Sequence, residues 1–121
     1  MEKKFLTDLK VGDTIYMLDD QKVTENGIEE LIVDSVDIIN DCLVVKCEDE
    51  TLIDRPISTL DGCETVHYYD IEFNCTYYGT SCESVVRDFN RRIDSEIDYY
   101  ESEIKRFKGV IEKLKSHKLP L

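Results

Sequence analysis

Residues 86–114, VRDFNRRIDSEIDYYESEIKRFKGVIEKL, carry the pattern that decides the C-terminal third of the chain. Val86, Ile93, Tyr100, Phe107 and Leu114 recur every seven residues, and Asn90, Ile97, Ile104 and Ile111 fall between them. Steps alternating between three and four residues put all nine side chains on one stripe of an α-helix. The 3.5-residue period is that of helices that lie along one another. In heptad letters the first row is d and the second is a. The nine residues are therefore the candidate helix-pairing interface, and a coiled coil is the expected state of the segment. Asn90 reads either as a polar register device in the a row or as part of a partly solvated first turn.

Both ends of the helix are marked. Gly79 closes the preceding strand and Thr80-Ser81-Cys82-Glu83 fits a capping box, while Lys118 and Leu119-Pro120 stop the helix. A helix from about 81 to 117 would be on the order of 55 Å long at 1.5 Å per residue. A globule of about 80 residues is only roughly 30 Å across. Val85, Val86, Phe89 and Ile93 are expected to pack on the chain's own body. The distal Ile104, Phe107, Ile111 and Leu114 lie too far along to share that surface unless the helix breaks. Gly109, at an f position, is the only candidate hinge and costs about 1 kcal/mol relative to alanine.

The e positions are Arg87, Asp94, Glu101, Lys108 and Lys115. Antiparallel self-pairing faces e with e, so Asp94 meets Lys115 and Glu101 meets Lys108 of a second copy. Parallel pairing sets Glu96 against Glu101, a repulsion, although Glu103 then meets Lys108. Such exposed pairs contribute a few tenths of a kcal/mol each. They tilt the expectation toward an antiparallel homodimer.

Upstream of the helix the period falls to two. Thr14–Leu18 reads as a strand after the Val11-Gly12-Asp13 turn, and Phe5, Leu6 and Leu9 in the lead-in are available to pack. Ile28–Ile39 reads as one long strand whose apolar phase changes, which a bulge near Asp34-Ser35 would reconcile. Strands follow at Cys42–Cys47, Thr51–Asp54, Glu64–Tyr69 and Ile71–Tyr78, with a loop or helical turn over Ile57–Gly62. Short strands with polar turns favour a small antiparallel barrel over a sandwich. The expected class is α+β: a β-barrel of five to six strands over residues 1–79, then one long coiled-coil helix over 80–118.

The chain has 121 residues and a formal charge of −12, unevenly spread. Residues 1–82 hold 19 acids and 6 bases, a net of −13, and residues 83–121 hold 8 acids and 9 bases, a net of +1. An acidic body repels phosphate backbones, so direct nucleic-acid binding is not expected and a basic protein surface is the sharper partner reading. No apolar run reaches the length of a membrane span and the N-terminus lacks a signal-peptide core, which predicts a soluble, cytoplasmic chain. Cys42, Cys47, Cys63, Cys75 and Cys82 form no Cys-x-x-Cys pair and read as reduced structural thiols.

No catalytic motif emerges, and neither a cofactor nor a metal is expected. His67 sits in a strand four residues from Cys63, without the paired spacing of a zinc site. His117 suits a helix C-terminus. Asp19-Asp20 and Glu48-Asp49-Glu50 lack the spacing of a calcium loop. Tyr68, Tyr69, Tyr77 and Tyr78 suggest a groove for Pro-rich peptides, against the preferred reading that one of each pair packs in the core and the other covers it.

Leu9-Lys10-Val11-Gly12-Asp13-Thr14-Ile15-Tyr16 resembles the opening of small SH3-like barrel proteins among uncharacterised phage, prophage and gut-bacterial genes. The resemblance spans about residues 9–90 and implies a non-enzymatic barrel of mobile-element origin, with no binding residues to carry over. The long heptad helix departs from the pattern of that group. The expected function is thus a protein-interaction module, an acidic barrel oligomerised through its helix. The alternative is an acidic DNA mimic that inhibits a host nucleic-acid-binding defence protein, of the anti-restriction or anti-CRISPR kind.

Overall fold

Adjacent amides at Val33 and Asp34 organise the β-structure. In the computed structural model, which describes residues 3–20, 27–69 and 75–120, the Val33 N–H donates to the Asp13 carbonyl at 2.8 Å and the Asp34 N–H to the Lys46 carbonyl at 2.8 Å. Successive amides of an extended chain point to opposite sides. Here the two sides belong to different sheets, so the chain leaves one sheet and enters the other at this step. The long strand expected over Ile28–Ile39 is therefore two strands, β2 (Glu29–Ile32) and β3 (Ser35–Ile39). What reads in sequence as a bulge is a change of sheet.

The remaining strands are β1 (Thr14–Asp19), β4 (Cys42–Cys47), β5 (Glu50–Pro56), β6 (Thr65–Tyr69) and β7 (Cys75–Gly79). The described residues thus contain seven strands rather than five or six, in two antiparallel sheets ordered β2-β1-β7-β6 and β3-β4-β5. Neither sheet closes on itself among these residues. A short helix α1 (Ile57–Leu60) follows β5, and the long helix α2 (Cys82–Ser116) follows β7. The class is α+β, with one long C-terminal helix. The stretch Ile71–Asn74 of the last expected strand lies outside the described residues.

Alternation decides what each face of the four-stranded sheet meets. Ile15, Val66, Tyr68 and Tyr78 lie on one face and join Leu43 and Val45 of β4 and Ile53 of β5 in a core that Leu6, Leu9 and Leu60 complete. Leu18 stands opposite Tyr77, and Tyr77 opposite His67, on the other face. The first turns of α2 cover that face. Val85 is fully buried, and the Phe89 ring meets Tyr77 edge-on at 6.0 Å between centroids. The lead-in is tied down as well: the Leu6 N–H donates to the Cys63 carbonyl at 2.8 Å, and Leu6 is fully buried.

The two hairpins of the three-stranded sheet turn through Asn40-Asp41 and Glu48-Asp49, all four with positive φ. Two-residue loops with both φ positive are type I′ turns, which favour Asn-Gly. Glutamate at φ 49° and aspartate at φ 68° are poor occupants, because left-handed backbone costs a residue with a Cβ about 1–2 kcal/mol. Glu48→Asn with Asp49→Gly is expected to stabilise the chain by about 1 kcal/mol, read as a higher urea midpoint with an unchanged slope. No gain would mean that the side chain of Glu48 or Asp49 contributes more than the turn conformation costs.

The chain divides into two compact units, Met1–Phe89 and Asn90–Leu121. The first holds both sheets and the opening turns of α2, and the second holds the rest of that helix.

Candidate functional site: the apolar stripe of α2

Capping of α2 differs by one residue from the sequence expectation. Ser81, not Thr80, is the cap: its Oγ accepts the Ser84 N–H at 3.1 Å. Thr80 instead donates its hydroxyl to the Lys4 carbonyl at 2.6 Å, fastening the lead-in to the strand end. Glu83 in the first turn and Lys113 and Lys115 in the last complement the helix dipole. Arg92 pairs with Glu96 at 3.0 Å, Arg106 with Glu103 at 2.8 Å and Lys115 with Glu112 at 3.7 Å along the helix surface. Gly109 introduces no break, since the helix runs unbroken from Cys82 to Ser116.

The nine stripe residues fall into two groups by exposure. Val86 is 37% exposed, Asn90 is exposed and Ile93 is half-buried. From Ile97 onward the stripe is open: Ile97, Tyr100, Ile104, Phe107, Ile111 and Leu114 are each 48–62% exposed. Among residues expected to pack on the body, Val85 and Phe89 are buried. The d-row residue Val86 is less covered than its neighbour Val85, because the helix turns its Val85–Phe89 edge, rather than the heptad stripe, toward the sheet.

The tyrosine pairs are split by strand alternation. Tyr77 lies under α2 while Tyr78 faces the core between the sheets, where burial raises its hydroxyl pKa. Tyr68 accepts the Asp54 N–H on its hydroxyl at 3.0 Å, and the Arg55 guanidinium lies 4.4 Å above its ring. Tyr69 is mostly exposed and meets His67 edge-on at 5.4 Å. A cleft of about 240 Å³ opens between Leu52, Asp54, Tyr68, Tyr69 and Tyr78. That is small beside the roughly 300–1,000 Å³ of ligand sites, and the Tyr68 hydroxyl is already engaged. Three of the four tyrosines read in sequence as a groove, Tyr68, Tyr69 and Tyr78, line it and Tyr77 does not. Its other wall, Leu52 and Asp54, has no signal in sequence because β5 and β6 meet there across the two sheets.

Other candidate groups are internally matched. A hollow of about 380 Å³ at the start of α2 gathers Lys3, Lys4 and Arg87. Glu64 lies 3.8 Å from both Lys3 and Arg87, and Lys4 pairs with Asp13. Hydrogen bonding to Lys4, then to the Lys10 N–H, holds the Asp13 carboxyl below its usual range. Hydrogen bonding to Asp88 raises the Arg87 pKa. All five cysteines are free thiols, and burial followed by the Asp34 charge pushes the Cys47 thiol up, away from the reactive thiolate form. The Cys63 Sγ points at the carbonyls of Thr59 and Asp61, at 3.7 and 3.8 Å. Among the described residues no three His, Cys, Asp or Glu side chains stand together as a metal set, and no helix is long and apolar enough to cross a membrane. The distal stripe of α2 leaves six large apolar side chains open, Ile97, Tyr100, Ile104, Phe107, Ile111 and Leu114.

Comparison with known proteins gives no relative: no family model, no curated protein and no solved structure matches this chain.

Proposed function

We propose that this chain is a non-enzymatic interaction module that self-assembles through α2 as a coiled coil and presents its acidic body to a basic protein surface. One observation carries the reading: six consecutive a and d residues, from Ile97 to Leu114, are about half exposed on a single chain. A stripe of this length costs solubility on its own and is relieved when a second apolar stripe covers it. Two sheets around one core, joined by the extended step at Val33-Asp34, support reading the body as a small barrel of the SH3-like kind. The net charge of −13 on residues 1–82 supports a basic partner.

The test is the solution mass of the full chain by light scattering across a concentration series. A mass approaching twice 14.1 kDa as concentration rises is the expected result. A mass fixed at one chain up to millimolar concentration would exclude self-assembly.

A further inference from the structure

We infer that two copies pair antiparallel in a single register, with the two-fold axis passing between Lys105 and Arg106. The inference rests on the self-assembly reading above and adds the partner's orientation and alignment. In an antiparallel pair each a residue faces a d residue of the other copy, so aligned residue numbers have a constant sum. A sum of 211 sets Ile97 against Leu114, Ile104 against Phe107 and Ile111 against Tyr100. By symmetry each contact occurs twice. This alignment uses all six open residues of the stripe and leaves Val86, Asn90 and Ile93, the three nearest the body, outside the pairing.

The flanking charges select this register from its neighbours. With a–d pairs summing to 211, the nearest e–e neighbours sum to 209, Asp94 with Lys115 and Glu101 with Lys108, four opposite-sign contacts and no like-sign one. The g rows add Glu103 beside Val110 and Glu96 beside His117, again without a clash. Sliding by one heptad one way sets Glu101 against Glu101, Glu103 against Glu103 and Arg87 against Lys115, and keeps only Asp94 with Lys108 as an attraction. Sliding the other way sets Lys108 against Lys108 and keeps only Glu101 with Lys115. The parallel pair opposes Glu96 and Glu101 and gains only Glu103 with Lys108. Glu101 and Lys108 are both exposed on the free chain and available for these contacts.

Long-range charge points the same way. In a parallel pair the two helix starts, each joined to a segment of net charge −13, lie about 8–10 Å apart. In the antiparallel register the two Cys82 residues are on the order of 70 Å apart along the pair. A Debye length of about 8 Å removes the repulsion at that distance. Half-exposed side chains of this size offer on the order of 100 Å² each, so six give on the order of 600 Å² per helix. That falls short of the ~800 Å² per partner of a standard interface, which predicts a reversible, micromolar dimer in which flanking charges are measurable.

The test is the dimer dissociation constant of full-length Glu101→Lys, Lys108→Glu and the double variant, by sedimentation equilibrium at low salt. Antiparallel pairing predicts that each single variant weakens the dimer about tenfold, because two attractions become two repulsions. The double variant should return to within about twofold of the native chain. Parallel pairing predicts the opposite sign for Glu101→Lys, which would relieve the contact with Glu96. A dimer that Glu101→Lys tightens or leaves unmoved overturns the register but not self-assembly. A native chain that stays monomeric overturns both.

Discussion

Ile104→Asp is expected to abolish self-association at concentrations where the native chain is a dimer. Ile104 lies beside the proposed two-fold axis, so a dimer carries the substitution twice at its centre. Each copy loses the burial of the open half of an isoleucine side chain, about 1 kcal/mol, and gains a carboxylate that must be desolvated or must open the seam. The combined loss exceeds about 3 kcal/mol, more than a hundredfold in the dissociation constant. The isolated chain should barely notice, because Ile104 is 53% exposed and is not part of the core. Ser102→Asp, at an f position on the opposite side of the helix, is the matched control and should leave the mass unchanged. If both variants dimerise like the native chain, the stripe is not the contact.

Gly79→Ala is expected to be the most damaging single methyl in the body, costing about 3 kcal/mol. Gly79 is the last residue of β7 and stands between Tyr16 of β1 and Thr65 of β6, facing the first turn of α2. A Cβ there would meet Val85 Cγ2 at 2.4 Å, Thr65 Cγ2 at 3.1 Å and Ser84 Oγ at 3.2 Å. Val85 cannot swing aside, since it is fully buried and a β-branched side chain in a helix has one strongly preferred rotamer. Ser84 is held by Ser81, so the whole first turn of α2 would have to move. Overpacking of this kind costs about 1–3 kcal/mol, and the short contact places it at the upper end. For a body of this size that lowers the melting temperature by roughly 10–20 °C. Val85→Ala in the same chain should recover part of the loss, giving a coupling of at least about 1 kcal/mol in a double-mutant cycle. A melting temperature within a degree or two of native would show that α2 does not sit this close to β7.

The two variants probe features of unequal legibility. Ile104 is visible in sequence as one member of two interleaved rows, because helical periodicity is local and survives without tertiary context. Gly79 reads in sequence only as a strand end. Its need for a hydrogen side chain arises from a helix turn stacked on a sheet face. The tyrosine pairs lie between these cases. Their alternation is plain in sequence, but which neighbour each face meets is not. Tyr77 goes under α2 and Tyr78 into the core between the sheets.

The sequence by itself determined the extent of α2 to within two residues at each end, its heptad spacing, the concentration of negative charge in residues 1–82, and most strand positions. Each is written in spacings of two, three or four residues, or in a sum over side chains. Only the tertiary structure decided that Ile28–Ile39 is divided between two sheets and that β1 lies between β2 and β7. The same is true of the cap at Ser81 and of the Val85–Phe89 edge that α2 turns to the sheet. Those outcomes depend on contacts between residues far apart in the chain, such as Leu18 with Tyr77, where register is set by which apolar faces bury together. No local pattern encodes that choice, because the same alternation satisfies either neighbour.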